Sequence, residues 1–234
     1  MSARRRRIIA TGPTGNESAA RESPARRSRR DDVLAAEFYD RDTRLVARAL
    51  LGAVLESHTP EGVASGRIVE TEAYLGADDS ACHAVAGVTD RTRHLHGLPG
   101  IAYVYRIYGA HWCFNAKTEP EGRGSAVLVR AVEPLDGVAL MRRRRTRAAQ
   151  ERDLTNGPGK LCEALGITGA LNGVPLDQPP LVIRAGDAVP DRDVIVTPRI
   201  GITRAADLPL RWFERDSPFV SRTPAHFPRR PLSP

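Results

Sequence analysis

The sequence predicts an α+β domain built on antiparallel hairpins. Stretches rich in β-branched and aromatic residues follow one another across short turns, most clearly at residues 101–108 and 111–116 on either side of Gly109. Helical patterns are few and do not alternate with the strands, which argues against a parallel doubly wound sheet. The length of 234 residues, with 41% hydrophobic and 27% charged, is that of a globular domain with one sizeable core.

Order is expected from about Val33. Asp42 is placed to cap a helix whose apolar stripe is Leu45, Val46, Ala49 and Leu50, and Gly52 ends it. Strands are expected at 53–56 and 66–74. Alternation along the second puts Ile68, Glu70, Glu72 and Tyr74 on one face. Residues 77–84 read as a short helix or turn, and residues 85–100 as a long loop. The 101–116 hairpin follows, then a strand at 124–132 with Ala126, Leu128, Arg130 and Val132 on one face. Residues 135–147 read as a helix ending in the basic run Arg142 to Arg145 and Arg147, which suits the negative end of a helix dipole. Gly157-Pro158 opens another helix, closed by Gly166. Strands near 181–184, 194–202 and 210–213 complete the domain, and a Pro-rich tail is expected to fray from Pro224.

Composition sets outer limits. No apolar run approaches the roughly 20 residues that span a bilayer, and the three apolar residues after Arg7 are too few for a secretory signal, so no membrane association is expected. Cys82, Cys113 and Cys162 make no disulfide framework, and a reducing cytoplasm is the default. The formal charge of +7 resides in the first 30 residues, which hold nine Arg against two Glu. Residues 1–31 read as a disordered Arg-rich tail, either a tether to a polyanion or a solubilising extension.

Several residues carry chemical possibilities. Tyr108 falls at the expected hairpin tip, where a core residue is out of place and an exposed ring suits stacking on a partner; an aromatic cross-strand cluster is the alternative for Tyr103 and Tyr105. Glu70 and Glu72 are either a carboxylate pair for acid–base work or surface residues. Arg130, alone in an apolar strand, requires a carboxylate partner, and Glu72 is a candidate. Metal ligand types occur at Cys82-His83, at His94 and His96, and at His111 with Cys113, but without standard zinc spacing. The segment Gly157-Pro158-Gly159-Lys160 is either a helix N-terminus that holds a phosphate or an ordinary helix start. It lacks the P-loop pattern.

Taken together, these strings resemble the alkyladenine (3-methyladenine) DNA glycosylase family. The matching segments are Arg67-Ile-Val-Glu-Thr-Glu-Ala-Tyr74, His83, Tyr103-Val-Tyr105 with Tyr108-Gly109, and Trp112-Cys-Phe-Asn115. Val129-Arg130-Ala-Val-Glu-Pro134, Asn156-Gly-Pro-Gly-Lys-Leu161 and Ser217-Pro-Phe-Val-Ser221 follow in order. The resemblance runs from about residue 38 to residue 221. It implies a single mixed domain at 32–223 with a curved antiparallel sheet, a protruding hairpin and helices around it, flanked by tails at 1–31 and 224–234. It implies a monofunctional, cofactor-free and metal-free enzyme, a monomer in the cytoplasm at the nucleoid. Such an enzyme cuts the N-glycosidic bond of alkylated or deaminated purines flipped from duplex DNA.

Position by position, the resemblance makes Glu72 the general base and Arg130 the residue that helps hold the water. Tyr74, His83 and Tyr105 become the pocket walls. Asn115, expected beside Tyr105, crowds the exocyclic amine of guanine. Tyr108 is the wedge in the minor groove, and Lys160 contacts the DNA. The sequence also departs from the family pattern. Thr89-Asp90-Arg91-Thr92 replaces Thr-Pro-Arg-Asn, Ala110 stands where Met is common, Trp212 where Phe is usual, and Asp216 where Gly or Asn is usual.

Overall fold

A computed structural model describes residues 32–224, 227 and 230–232. The Arg-rich segment 1–31 and most of 224–234 lie outside the described residues. A short helix α1 (Ala36–Tyr39) leads to α2 (Thr43–Ala49), where the Asp42 carboxylate accepts from the Arg44 N–H at 2.8 Å as a cap. The chain then builds the strands β1 (Val54–Thr59), β2 (Gly62–Leu75), β3 (Ala102–Ile107), β4 (His111–Thr118) and β5 (Ser125–Pro134). Helices α3 (Val138–Arg144) and α4 (Pro158–Leu165) follow. The short strands β6 (Asp177–Gln178), β7 (Leu181–Arg184), β8 (Val194–Thr197), β9 (Arg211–Glu214) and β10 (Arg230–Pro231) come last.

All pairings are antiparallel, and β2 is the spine. One of its edges carries β5, and the other carries β1 along its first half and β9 along its second. The hairpin of β3 and β4 extends the sheet from β5. The result is an α+β domain with a curled sheet, as the sequence predicts. The hairpin tip turns on Tyr108 and Gly109, both in the left-handed region (φ 48° and 67°), with the Ala110 N–H closing on Ile107 O at 3.1 Å. Two consecutive left-handed residues give the turn the twist of the strands it joins. The same geometry explains the departure at Asp216, whose φ is 60°. Gly and Asn tolerate that conformation, and Asp is the next best side chain for it.

The two faces of the sheet divide the labour. Ala73, Val104, Phe114, Val127 and Val129 face α2 and α4 and form the core with Val46, Leu50, Leu161 and Leu165. The opposite face presents Tyr74, Tyr103, Tyr105, Cys113, Asn115, Leu128 and Arg130.

Three local expectations change. First, the β2–β5 register shifts on both sides of Glu70, and Ile68 and Val132 turn to the core, leaving the face of Glu70, Glu72 and Arg130. A bulge adds one residue to one strand, so alternation counted across it reverses. Second, the helix expected at 135–147 is only Val138–Arg144, and three arginines of its basic run form ion pairs. Arg142 meets Glu151 (3.2 Å), Arg144 meets Glu61 (2.6 Å) and Arg145 meets Glu163 (2.6 Å). Third, the strand expected at 194–202 stops at Thr197 before Pro198, which has no N–H for the ladder. Among the described residues no helix is long and apolar enough to cross a membrane.

Candidate active site

The open face of the sheet forms a cavity of about 330 Å³. It is walled by Tyr74 from β2, His83 from the loop after β2, Tyr103 and Tyr105 from β3, Cys113 and Asn115 from β4, Leu128 and Arg130 from β5, and Ile200 beyond β8. The sequence scatters these residues over more than a hundred positions; antiparallel alternation gathers them on one surface.

The aromatic groups are organised. The His83 and Tyr105 rings meet edge-on at 4.5 Å, and Tyr103 and Tyr105 lie 5.3 Å apart. His83 Nδ1 and the Tyr103 hydroxyl share a hydrogen bond of 2.9 Å. Burial, helped by the nearby Arg91 cation, depresses the imidazole pKa to about 4, so the ring is neutral at neutral pH. Burial holds the Tyr103 phenol up at about 12 and the Tyr105 phenol well above its ordinary value.

Beneath this wall lie the charges. Glu70 and Glu72 are both fully buried, so the surface alternative for them falls. Glu72 Oε1 accepts from the Ile200 N–H at 2.7 Å. Its Oε2 accepts from the Tyr74 hydroxyl at 3.1 Å and lies 3.2 Å from Arg130. Arg130 therefore has two carboxylate partners, since its Nε also donates to Glu70 at 3.0 Å. Burial opposes the charge on Arg130, but Glu72 and Glu70 outweigh it and raise its pKa. Glu70 is the anchor of the set. It accepts from Arg211 Nε (2.6 Å) and from the Ser221 N–H (2.7 Å) and hydroxyl (2.8 Å). Burial pushes its pKa up, yet Arg130, Arg211 and the Ser221 donors more than offset this and hold the carboxyl below its ordinary range.

Asn115 sits deep in the cavity, and its Nδ2 donates to Tyr103 O at 2.9 Å. Its direct cross-strand neighbour is Tyr103, whereas Tyr105 faces Cys113, two pairs further along the hairpin. Tyr108 projects from the hairpin tip at 89% exposure and still lines the cavity mouth. Lys160 stands apart from the cavity, on the first turn of α4, with Nζ donating to Asn156 Oδ1 at 2.7 Å; its neighbour Pro158 reaches the rim. The Arg91 guanidinium carbon lies 5.5 Å from the centre of the Tyr105 ring. The His and Cys side chains do not converge: among the described residues no three His, Cys, Asp or Glu are placed to hold a metal ion.

With this arrangement established, comparison with known proteins is decisive. The pattern of the methylpurine-DNA glycosylase (MPG) family matches residues 37–218. The chain belongs to this family. It is a DNA glycosylase, a hydrolase of DNA repair. A Methanoculleus marisnigri protein is 50% identical over 193 residues, covering 81% of this chain and 99% of its own. A Rhodopseudomonas palustris protein is 48% identical over 197 residues (84% and 90%), and one from Myxococcus xanthus is 47% identical over 201 (85% and 98%). All three carry the provisional name 3-methyladenine DNA glycosylase.

Some residues of the glycosylase site had no signal in the sequence. Arg211, Ser221, Arg199 and Ile200 reach Glu70, Glu72 or Tyr74 from distant segments, and Asp79 holds Arg199. Ser221 belongs to a motif string, but nothing in that string pointed to Glu70.

Proposed function

We propose that this glycosylase draws a damaged purine out of duplex DNA into the aromatic cavity and hydrolyses its N-glycosidic bond with Glu72 as general base. The observation that carries the reading is the buried Glu72 carboxylate, which accepts from the Tyr74 hydroxyl and the Ile200 N–H, two residues that line the aromatic cavity.

Extrusion of a nucleotide costs a few kcal/mol. Tyr108, exposed at the hairpin tip, fills the vacated stack and offsets part of that cost, as apolar wedges do in the minor groove. The base then stacks against Tyr74 and Tyr105, at roughly 1–3 kcal/mol per aromatic contact. Lys160 meets the DNA outside the cavity. Glu72 takes the proton of a water whose oxygen attacks the anomeric carbon as the bond to the purine breaks. Its charge and Arg130 hold that water, and the carboxylate stabilises the developing oxocarbenium character. The water gains access to Oε2 when the Tyr74 hydroxyl yields its place. Asn115 refuses guanine by occupying the space its 2-amino group needs.

The purine must leave with its electron pair. His83 is neutral and the phenols are weak acids, so the cavity side chains offer the leaving group no ready proton. This favours purines that already carry positive charge over neutral hypoxanthine and ethenoadenine: 3-methyladenine first, and 7-methylguanine less, because it carries the 2-amino group that Asn115 crowds. In this reading the protein acts on duplex DNA as a monomer at the nucleoid. Single-turnover excision from duplexes containing each of the four lesions, with wild-type protein and Glu72→Gln, tests the reading. Release of the cationic purines by wild type alone is expected; equal release by both proteins overturns it.

A further inference from the structure

We propose that the buried Arg199–Asp79 ion pair is a positioning device for this site, setting the Tyr74 ring and the Glu72 carboxylate together from behind the cavity wall. The proposal rests on the reading of Glu72 and Tyr74 given above.

Arg199 is 1% exposed and Asp79 2% exposed, and neither lines the cavity. The guanidinium grips Asp79 through its two terminal nitrogens, Nη1 to Oδ2 at 2.5 Å and Nη2 to Oδ1 at 2.9 Å. Nη1 also donates to the carbonyl of Ala73, the residue between Glu72 and Tyr74, at 2.9 Å. The guanidinium carbon stands 4.6 Å from the centre of the Tyr74 ring. A cation over a ring face is attracted by the ring quadrupole. Because Arg199 does not reach the cavity, it backs the ring and leaves the other face to a base.

The next residue completes the arrangement. Ile200 donates its N–H to Glu72 Oε1 and also lines the cavity. This stretch lies beyond the end of β8, where no ladder fixes the backbone. What fixes it is Arg199, pinned to Asp79. Asp79 in turn accepts the N–H of Leu75 (3.2 Å) and of Ala81 (3.1 Å), tying the end of β2 and the approach to His83 to the same point. One ion pair thus registers three segments: the end of β2 with Glu72 and Tyr74, the approach to His83, and the stretch that carries Ile200. A buried ion pair is seldom more stabilising than well-packed apolar side chains of equal volume. Its advantage here is direction: a planar fork fixes several acceptors at once, which a lysine point charge does not.

The test compares wild type, the double variant Asp79→Asn/Arg199→Met, Arg199→Lys and Glu72→Gln. It reads single-turnover excision of 7-methylguanine at saturating enzyme and affinity for a duplex carrying a tetrahydrofuran abasic analogue, which offers no base to Tyr74 and no bond to cleave. The double variant removes both charges, so no unpaired charge remains buried. Its excision is expected to fall by about 10-fold to 100-fold, the usual consequence of a small displacement of reacting groups, with affinity for the abasic duplex unchanged. Arg199→Lys is expected to fall between the two. A folded double variant with the wild-type rate overturns the proposal, as does a parallel loss of abasic affinity, which marks a general defect. If the double variant does not fold, Arg199→Lys decides alone, and a wild-type rate there overturns it. Wild-type excision by Glu72→Gln would instead remove the reading of the site on which the proposal stands.

Discussion

The Tyr74 hydroxyl donates to Oε2 of Glu72 at 3.1 Å, so the residue that offers its ring to the cavity also closes an acceptor site on the carboxylate beneath. Tyr74→Phe keeps the ring and frees Oε2 for water. Single-turnover excision is expected to equal or exceed wild type, while Tyr74→Ala loses roughly 1–3 kcal/mol of stacking and excises poorly. A large loss with Tyr74→Phe would give the hydroxyl a positive role in the chemistry instead.

The two glutamates should separate by kind of defect. Glu72→Gln is expected to bind lesion DNA and to lose at least about 10²-fold in excision. Glu70→Gln leaves Arg130 and Arg211 facing each other with less compensating charge in a dry site. Breaking a buried pair in this way costs about 3–5 kcal/mol, so its signature is a fall in melting temperature. Normal stability of Glu70→Gln with abolished excision would move the base assignment to Glu70.

Asn115 holds Nδ2 against Tyr103 O, and no hydrogen bond to its Oδ1 is made among the described residues. In the proposed reading, exclusion of the guanine 2-amino group rests on space and not on a missing acceptor. Asn115→Ala is expected to raise 7-methylguanine excision relative to 3-methyladenine and to release some undamaged guanine. The ratio of the two rates is the measurement, and an unchanged ratio in a folded variant removes Asn115 as the gate.

Tyr108 makes its contribution outside the fold. Tyr108→Ser is expected to change stability by less than about 0.5 kcal/mol, the ordinary range for a surface site. It should diminish the fluorescence change of a stacking-sensitive base placed beside the lesion. An unaltered flipping signal would exclude the wedge role.

His83 supplies a pH signature. Its folded pKa of about 4 lies below the ordinary 6.5, through burial first and Arg91 second. Between these values the unfolded chain binds a proton that the folded one refuses, so stability falls as pH drops from 6.5 toward 4 and levels off below. NMR titration of the imidazole is expected to give a midpoint near 4, with the slope of melting temperature against pH reduced in His83→Phe. A midpoint near 6.5 would show that the ring is solvated.

What the sequence determined by itself was local or carried by motifs. The Asp42 cap, the Gly109 turn and the helix opening at Pro158 depend on neighbours a few residues away, and such neighbours can be read in order. The strings around Glu72, Tyr105, Asn115 and Arg130 were legible because each is a short contiguous run that resembles the family pattern. Only the tertiary structure decided the rest. The bulge at Glu70 reversed the faces of Ile68 and Val132, because a one-residue insertion in a ladder leaves no mark in composition. Arg130, Arg199 and Arg211 meet their carboxylates across 60, 120 and 141 positions of sequence, distances over which no periodicity extends. An arginine in an apolar strand announces that it needs a partner; which carboxylate answers is settled by the curl of the sheet that brings β2, β5 and β9 side by side.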